Sequence, residues 1–187
     1  MDIKKVNQFY TKNKQGKLAN KVIIEILSNE DEIVTGAKAI NKQLPIYLQK
    51  HTEDWDIFTD DKPEVVAKKI EKQLDKKYGG NYFYVEPALH EGTYKIKAIA
   101  NDDTIADISI VNEPITYSKI GKINYATLDF LVHRIKVTLA EEGKKFRHLK
   151  DSNALQRIVI AESIQSKHKS KKKKVVRTRI PILKGVR

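Results

Sequence analysis

The distribution of charge along this chain decides where a folded body can lie. Residues 143–187 hold 15 of the 36 Lys and Arg residues and two of the 24 Asp and Glu residues, a net charge of +13. The 142 residues before them hold 21 basic and 22 acidic groups, a net charge of −1. A near-neutral stretch of that length repels itself little and can bury one core. The terminal quarter repels itself, and its natural partner is a polyanion; RNA, DNA and an anionic membrane all qualify on charge alone. The chain therefore reads as a core over residues 1–142 and a basic helical extension and tail over residues 143–187. Two full domains of enzyme size do not fit in 187 residues.

Composition removes several classes. There is no cysteine, which excludes a disulfide scaffold and any thiolate metal site. His51, His90, His133, His148 and His168 are not spaced as a zinc cluster. The first 17 residues lack the apolar stretch of a signal peptide, and no run reaches a membrane span. These features favour a cytoplasmic protein with no membrane partner.

Periodicity predicts an α+β fold, with a mixed sheet of about five strands and helices packed against it. Leu18, Val22, Ile23, Ile26 and Leu27 recur at helical spacing over residues 18–27. Ile33-Val34-Thr35 reads as a strand, Gly36 breaks it, and a short helix follows from Ala37 to Leu44, before Pro45. Trp55, Ile57 and Phe58 mark the next strand. Asp61, Pro63 and Glu64 suggest a capped helix start, with Val66, Ile70 and Leu74 as the apolar stripe. After the Tyr78-Gly79-Gly80-Asn81 turn, strands are predicted over 82–86, 93–99 and 104–111, the last two joined at Asn101-Asp102-Asp103. Beyond Pro114 the pattern reads as helical. Leu128, Leu131, Val132, Ile135 and Leu139 form one face, Gly143 ends that helix, and another starts near Asp151 and Ser152. Residues 166–174, SKHKSKKKK, read as a flexible link. The final VVRTRIPILKGVR regains apolar residues suited to docking.

The sharpest chemical feature is Thr52-Glu53-Asp54-Trp55-Asp56-Ile57-Phe58. A D-x-D pair in a strand projects two carboxylates to one side. Like charges that close are costly unless a cation lies between them. Mg²⁺ (or Mn²⁺) is the hard cation that suits oxygen ligands. Asp107 is a third acid, set among Ile105, Ile108 and Ile110. If its strand lies beside that of Asp54 and Asp56, the three acids can hold two metal ions that act on a hydroxyl and a nucleoside triphosphate. The competing reading is a solvated strand face. Upstream, Gly36-Ala37-Lys38 opens a helix after a strand. Such a turn lets backbone N–H groups approach phosphate and places Lys38 within reach of it, although an ordinary strand–helix turn looks the same. Trp55 reads as a core aromatic, and Tyr82, Phe83 and Tyr84 as strand residues.

These elements resemble the nucleotidyltransferase superfamily related to DNA polymerase β. That superfamily has a glycine-rich strand–helix turn, a D-x-D or D-x-E strand and a third Asp on a later strand, matched here by Gly36, by Asp54 and Asp56, and by Asp107. The segments TGAKAINKQLP, TEDWDIF and YATLDFLVHRIKVTLAEEGKKFRHLKDSNALQRI are similar to the catalytic subunit of poly(A) polymerases of large DNA viruses, over roughly residues 20–162. The resemblance implies catalytic and metal-binding roles for Asp54, Asp56 and Asp107. It implies triphosphate contacts from Gly36, Ala37 and Lys38, with Arg147 and Lys150 meeting the triphosphate or the RNA backbone. It also implies ATP as substrate, RNA held by the basic C-terminal segment, and a host-cytoplasm or virion location. Ala37 departs from the Gly or Ser usual at its place, so its N–H is present but no hydroxyl is. The chain is also much shorter than familiar viral enzymes, which leaves room for a protein partner or a homo-oligomer. Two alternatives stay open: a toxin-like nucleotidyltransferase acting on tRNA, protein or a small molecule, and a nucleic-acid-binding protein without enzymatic activity.

Overall fold

The computed structural model describes residues 12–166 and 177–179. Five helices and eight strands follow in the order α1 (Lys12–Leu27), β1 (Ile33–Thr35), α2 (Gly36–Gln43), β2 (Trp55–Thr59), α3 (Pro63–Tyr78), β3 (Phe83–Pro87), β4 (Thr93–Ala98), β5 (Thr104–Ile110), β6 (Ile115–Ile120), β7 (Ile123–Ala126), α4 (Leu128–Ala140), α5 (His148–Ser166) and β8 (Arg177–Arg179). The strands form one mixed sheet in the order β3-β4-β5-β2-β1-β7-β6-β8. β2 pairs with β5 and β1 with β7 in parallel, and the other neighbours are antiparallel. The fold is α+β, a mixed sheet flanked by packed helices.

Strand alternation sorts the β3-β4-β5 wing into two faces. Phe83, Ile96, Ala98, Ala106 and Ile108 are buried with Ile70 and Leu74 of α3 in the common core. Tyr84, Lys95, Asp107 and Ser109 alternate with them on the other face and are half-buried. The end of α3 is tied to β3 in two ways. Tyr78 meets Phe83 edge-on at 5.0 Å between ring centroids. Asp75 Oδ1 accepts from the backbone N–H groups of Tyr82 at 2.8 Å and Phe83 at 3.1 Å. Between them Gly79 ends the helix at φ +75°, a left-handed turn that glycine makes without side-chain strain.

Several elements differ from the sequence expectation. Residues 115–126 form the β6–β7 hairpin, not helix, and the sheet has eight strands among the described residues, where about five were expected. The two-residue turn Gly121-Lys122 joins Ile120 to Ile123, with Gly121 at φ +67°. β7 lies between β1 and β6, and all four of its residues are buried, so both of its faces are covered. A strand covered on both sides shows no apolar–polar alternation, and its buried Asn124, which donates to the Asp31 carbonyl at 3.3 Å, breaks the apolar run. At α3, Lys62 occupies the N-cap position in place of Asp61 and makes no side-chain cap, while Glu64 pairs with Lys68 one turn on at 2.6 Å. Helix α4 ends at Ala140, three residues before Gly143, and a 3₁₀ segment over Glu142–Arg147 leads into α5.

Helix α5 reaches the same core through Ala154, Ile158 and Ala161. Its Arg157 donates to Asn41 Oδ1 at 3.2 Å and to the Leu48 carbonyl at 3.0 Å, anchoring α5 to α2 and the turn that follows it. Most of the basic link expected over 166–174 lies outside the described residues, as does most of the final apolar segment. Of the latter, β8 pairs with β6, and its Arg179 meets Asp60 at 3.3 Å and lies over the Tyr117 ring at 5.4 Å. Among the described residues no helix is long and apolar enough to cross a membrane.

Candidate active site

The two strands that carry acids are neighbours. β2 lies parallel to β5, and the register sets Asp56 opposite Asp107. On the other side of β2, Asp56 is the cross-strand partner of Thr35, the residue before Gly36. The strand–helix turn and all three carboxylates therefore converge on the middle of the sheet. Asp54 stands one residue before β2, and its Oδ1 accepts from Thr52 Oγ1 at 2.9 Å.

Gly36 has a stereochemical reason to be glycine. It opens α2 at φ +60°, a left-handed conformation disfavoured for residues with a side chain. A Cβ placed there would lie 2.6 Å from Asp56 Cγ and closer still to Oδ2. The Asp56 carboxylate thus packs directly over the first residue of the helix, where unpaired N–H groups and the helix dipole favour negative charge. Thr35 supplies no side-chain cap, so a side chain does not compete for those donors.

Electrostatics ties the cluster together. Burial, then the charges of Asp54 and Asp107, push the Asp56 carboxyl up to about 6, while Lys150 and Arg147 pull it down. The predicted basic pair, Arg147 at the end of the 3₁₀ segment and Lys150 in the first turn of α5, is thus near enough for its charge to act on Asp56, although Arg147 also meets Asp151 at 3.4 Å. Burial lowers the Lys38 pKa, opposed by Asp54, Asp56 and Glu53. Lys38 Nζ donates to the Thr52 carbonyl at 3.1 Å and to Asn20 Oδ1 at 3.4 Å, and lies 4.6 Å from the Trp55 ring centroid. Asn20 Oδ1 also accepts from Trp55 Nε1 at 2.7 Å. Trp55 is a buried core aromatic, and the network through it fixes the loop that carries Asp54.

A carboxyl whose pKa is raised binds its proton more tightly in the folded protein than in the unfolded chain. The stability from that proton is complete below the ordinary carboxylate value of 3.8 and is lost as pH rises through about 6. Asp56→Asn keeps the shape and removes the charge. It should exceed wild type in stability above pH 6, by on the order of 3 kcal/mol at most, and the two should converge toward pH 4. Melting temperatures of both proteins from pH 4 to 8 test this, and a gap independent of pH would contradict it.

Asp107 carries the clearest unsatisfied atom. Its Oδ1 is sealed from solvent and accepts no hydrogen bond, although Lys95 Nζ stands 3.2 Å away. A carboxylate oxygen sealed from water and held only by that ion pair is costly to bury, and it is the kind of group a hard cation satisfies. The donor set, carboxylates only, fits Mg²⁺ or Mn²⁺. As the side chains stand, no group of three or more His, Asp or Glu among the described residues is disposed to close around one ion. Sequence reasoning quotes Thr52 in the acidic motif without giving it a role, and misses Asn20 and Lys95, whose roles come from helix placement and sheet register and carry no local motif.

No family model matches the sequence, and no curated protein matches it. Among solved structures, the crystal structure of the Megavirus polyadenylate synthase superposes on 79% of this chain with a TM-score of 0.66 and 18% identity. The two share a fold. This chain spans 32% of the length of that one, about a third. A second structure, JHP933 from Helicobacter pylori, matches 71% of this chain and 60% of its own at 13% identity, with a TM-score of 0.43. The likeness to the polyadenylate synthase is distant and is one of fold.

Proposed function

We propose that this chain is a metal-dependent nucleotidyltransferase that moves a nucleoside monophosphate from ATP to the 3′-hydroxyl of RNA and releases pyrophosphate. The observation that carries the proposal is the register match of Asp56 and Asp107 on parallel neighbours, beside a glycine turn that only a residue without Cβ can form.

Asp54, Asp56 and Asp107 would hold Mg²⁺ or Mn²⁺. When bound, the ion supplies Lewis-acid polarisation of the phosphate and lowers the pKa of the attacking hydroxyl. The chain's own groups bind and orient. The N–H groups of Gly36 and Ala37 at the start of α2 are suited to the triphosphate. Lys38 stands beside them, and Arg147, at the end of the 3₁₀ segment, and Lys150 of α5 bring positive charge toward Asp56. The basic C-terminal segment would hold RNA through its phosphates, with a strong salt dependence and little sequence preference. The choice of ATP follows from the name of the structural neighbour, a polyadenylate synthase, of which this chain spans a third.

The test is incubation of the full chain with Mg²⁺ or Mn²⁺, a labelled RNA oligonucleotide and each nucleoside triphosphate in turn. A ladder that grows with ATP is the expected result. Addition of one nucleotide would redirect the reading to terminal modification. Tight RNA binding with no extension under any condition would overturn the enzymatic proposal.

A further inference from the structure

On the side of β5 away from β2 lies β4, and its Lys95 is the cross-strand partner of Asp107. Alternation sends Ile96 into the core and leaves Lys95 on the half-buried face with the acid. Nζ stands 3.2 Å from Oδ1 and 3.3 Å from Oδ2, so the ammonium lies across both oxygens. The two side chains are each 29% exposed, sheltered enough for the pair to be screened less than a surface ion pair. Lys97, two residues on, is already held by Glu86 at 3.0 Å and Asp102 at 2.7 Å. Among the described residues, Asp107 is the one ion-pair partner of Lys95.

Asp107 therefore lies between two opposite influences. Across β2 is Asp56, a like charge; across β4 is Lys95, a counter-charge. A divalent ion that takes Asp107 must share both oxygens with an ammonium or displace it. We propose that Lys95 is a positioning residue of the candidate metal site, holding Asp107 toward β4 and competing with the divalent ion for its carboxylate. The proposal rests on the metal-site reading of Asp54, Asp56 and Asp107. It makes Lys95 the group that sets how tightly the protein holds metal before nucleotide arrives.

The test is a Mn²⁺ titration of the nucleotide-free full chain, followed by the electron paramagnetic resonance signal of free Mn²⁺. Lys95→Met should tighten binding about fivefold to tenfold, the effect of freeing the Asp107 carboxylate from a competing ammonium in a half-solvated site. Lys95→Arg, which restores the charge, should return affinity to within about twofold of wild type. In an Asp107→Asn background, Lys95→Met should have no further effect, because its influence passes through that carboxylate. Lys95→Gln serves if the methionine variant does not fold. Unchanged or weaker Mn²⁺ binding on loss of the charge overturns the proposal, as does equal tightening in the Asp107→Asn background. Should Asp56→Asn leave Mn²⁺ binding unaltered, the metal-site reading itself fails and takes this proposal with it. Loss of binding in Asp56→Asn with no change in Lys95→Met removes the role of Lys95 alone.

Discussion

Asp107→Asn should lower nucleotide transfer by about 10³-fold or more, the scale on which loss of a group acting on the transition state registers. Its melting temperature should stay within a few degrees of wild type. The two expectations separate chemistry from folding. Asp107 is flanked on its own strand by the fully buried Ala106 and Ile108, which hold β5 in the core regardless of the side chain between them. Asparagine keeps the volume and removes the charge. It also relieves the repulsion against Asp56 at the facing register position, so the stability change is expected to be small. The ion pair with Lys95 is lost, which offsets part of that relief. Steady-state transfer and thermal unfolding of the same preparation check both halves. Full activity in Asp107→Asn would remove this residue from the proposed metal site.

The second large effect is expected at Gly36. Alanine there meets two obstacles of different kinds. Its backbone must hold φ at +60°, which costs a residue with a side chain about 1–2 kcal/mol. Its Cβ must also displace the Asp56 carboxylate, whose Cγ lies 2.6 Å from the position that Cβ would take. The first cost is one of stability. The second moves a proposed metal ligand, so activity should fall about as far as in Asp56→Asn, on the order of 10²-fold or more. Combining the two substitutions should cost little more activity than either alone, because both act on one carboxylate. Transfer rates of the two single variants and the double variant test this coupling. Additive losses would mean that Gly36 acts elsewhere, for instance on the triphosphate alone.

The parts of this site legible in the sequence were those that local pattern determines. Asp54-Trp55-Asp56 alternates with a buried strand, and Asp107 interrupts an apolar one, so both could be singled out before any pairing was known. Gly36 was visible as a break between strand and helix. Its contact with Asp56 was not, because that depends on β1 lying antiparallel to β2. Lys95 was hidden for the same reason: a lysine in an alternating strand looks like a solvated residue until register places it against Asp107. Arg147 and Lys150 were proposed from resemblance, and they reach the electrostatic neighbourhood of Asp56 because α5 packs back onto α2 through Arg157. The β6–β7 hairpin was misread because β7 is buried on both faces and shows no period of two. The hairpin accounts for two of the three strands beyond the five expected, β8 being the third, and it leaves the site untouched, since β7 borders β1 on the side away from β2.

The central claim is that the acids of β2 and β5 form a single divalent-metal centre. The most direct measurement is the anomalous scattering of Mn²⁺ in crystals of the full chain grown with a non-hydrolysable ATP analogue. A peak is expected within about 2.0–2.4 Å of carboxylate oxygens from both Asp56 and Asp107, beside the first turn of α2. A Mn²⁺ peak bound elsewhere, with both carboxylates unliganded in the presence of the nucleotide, would contradict that claim.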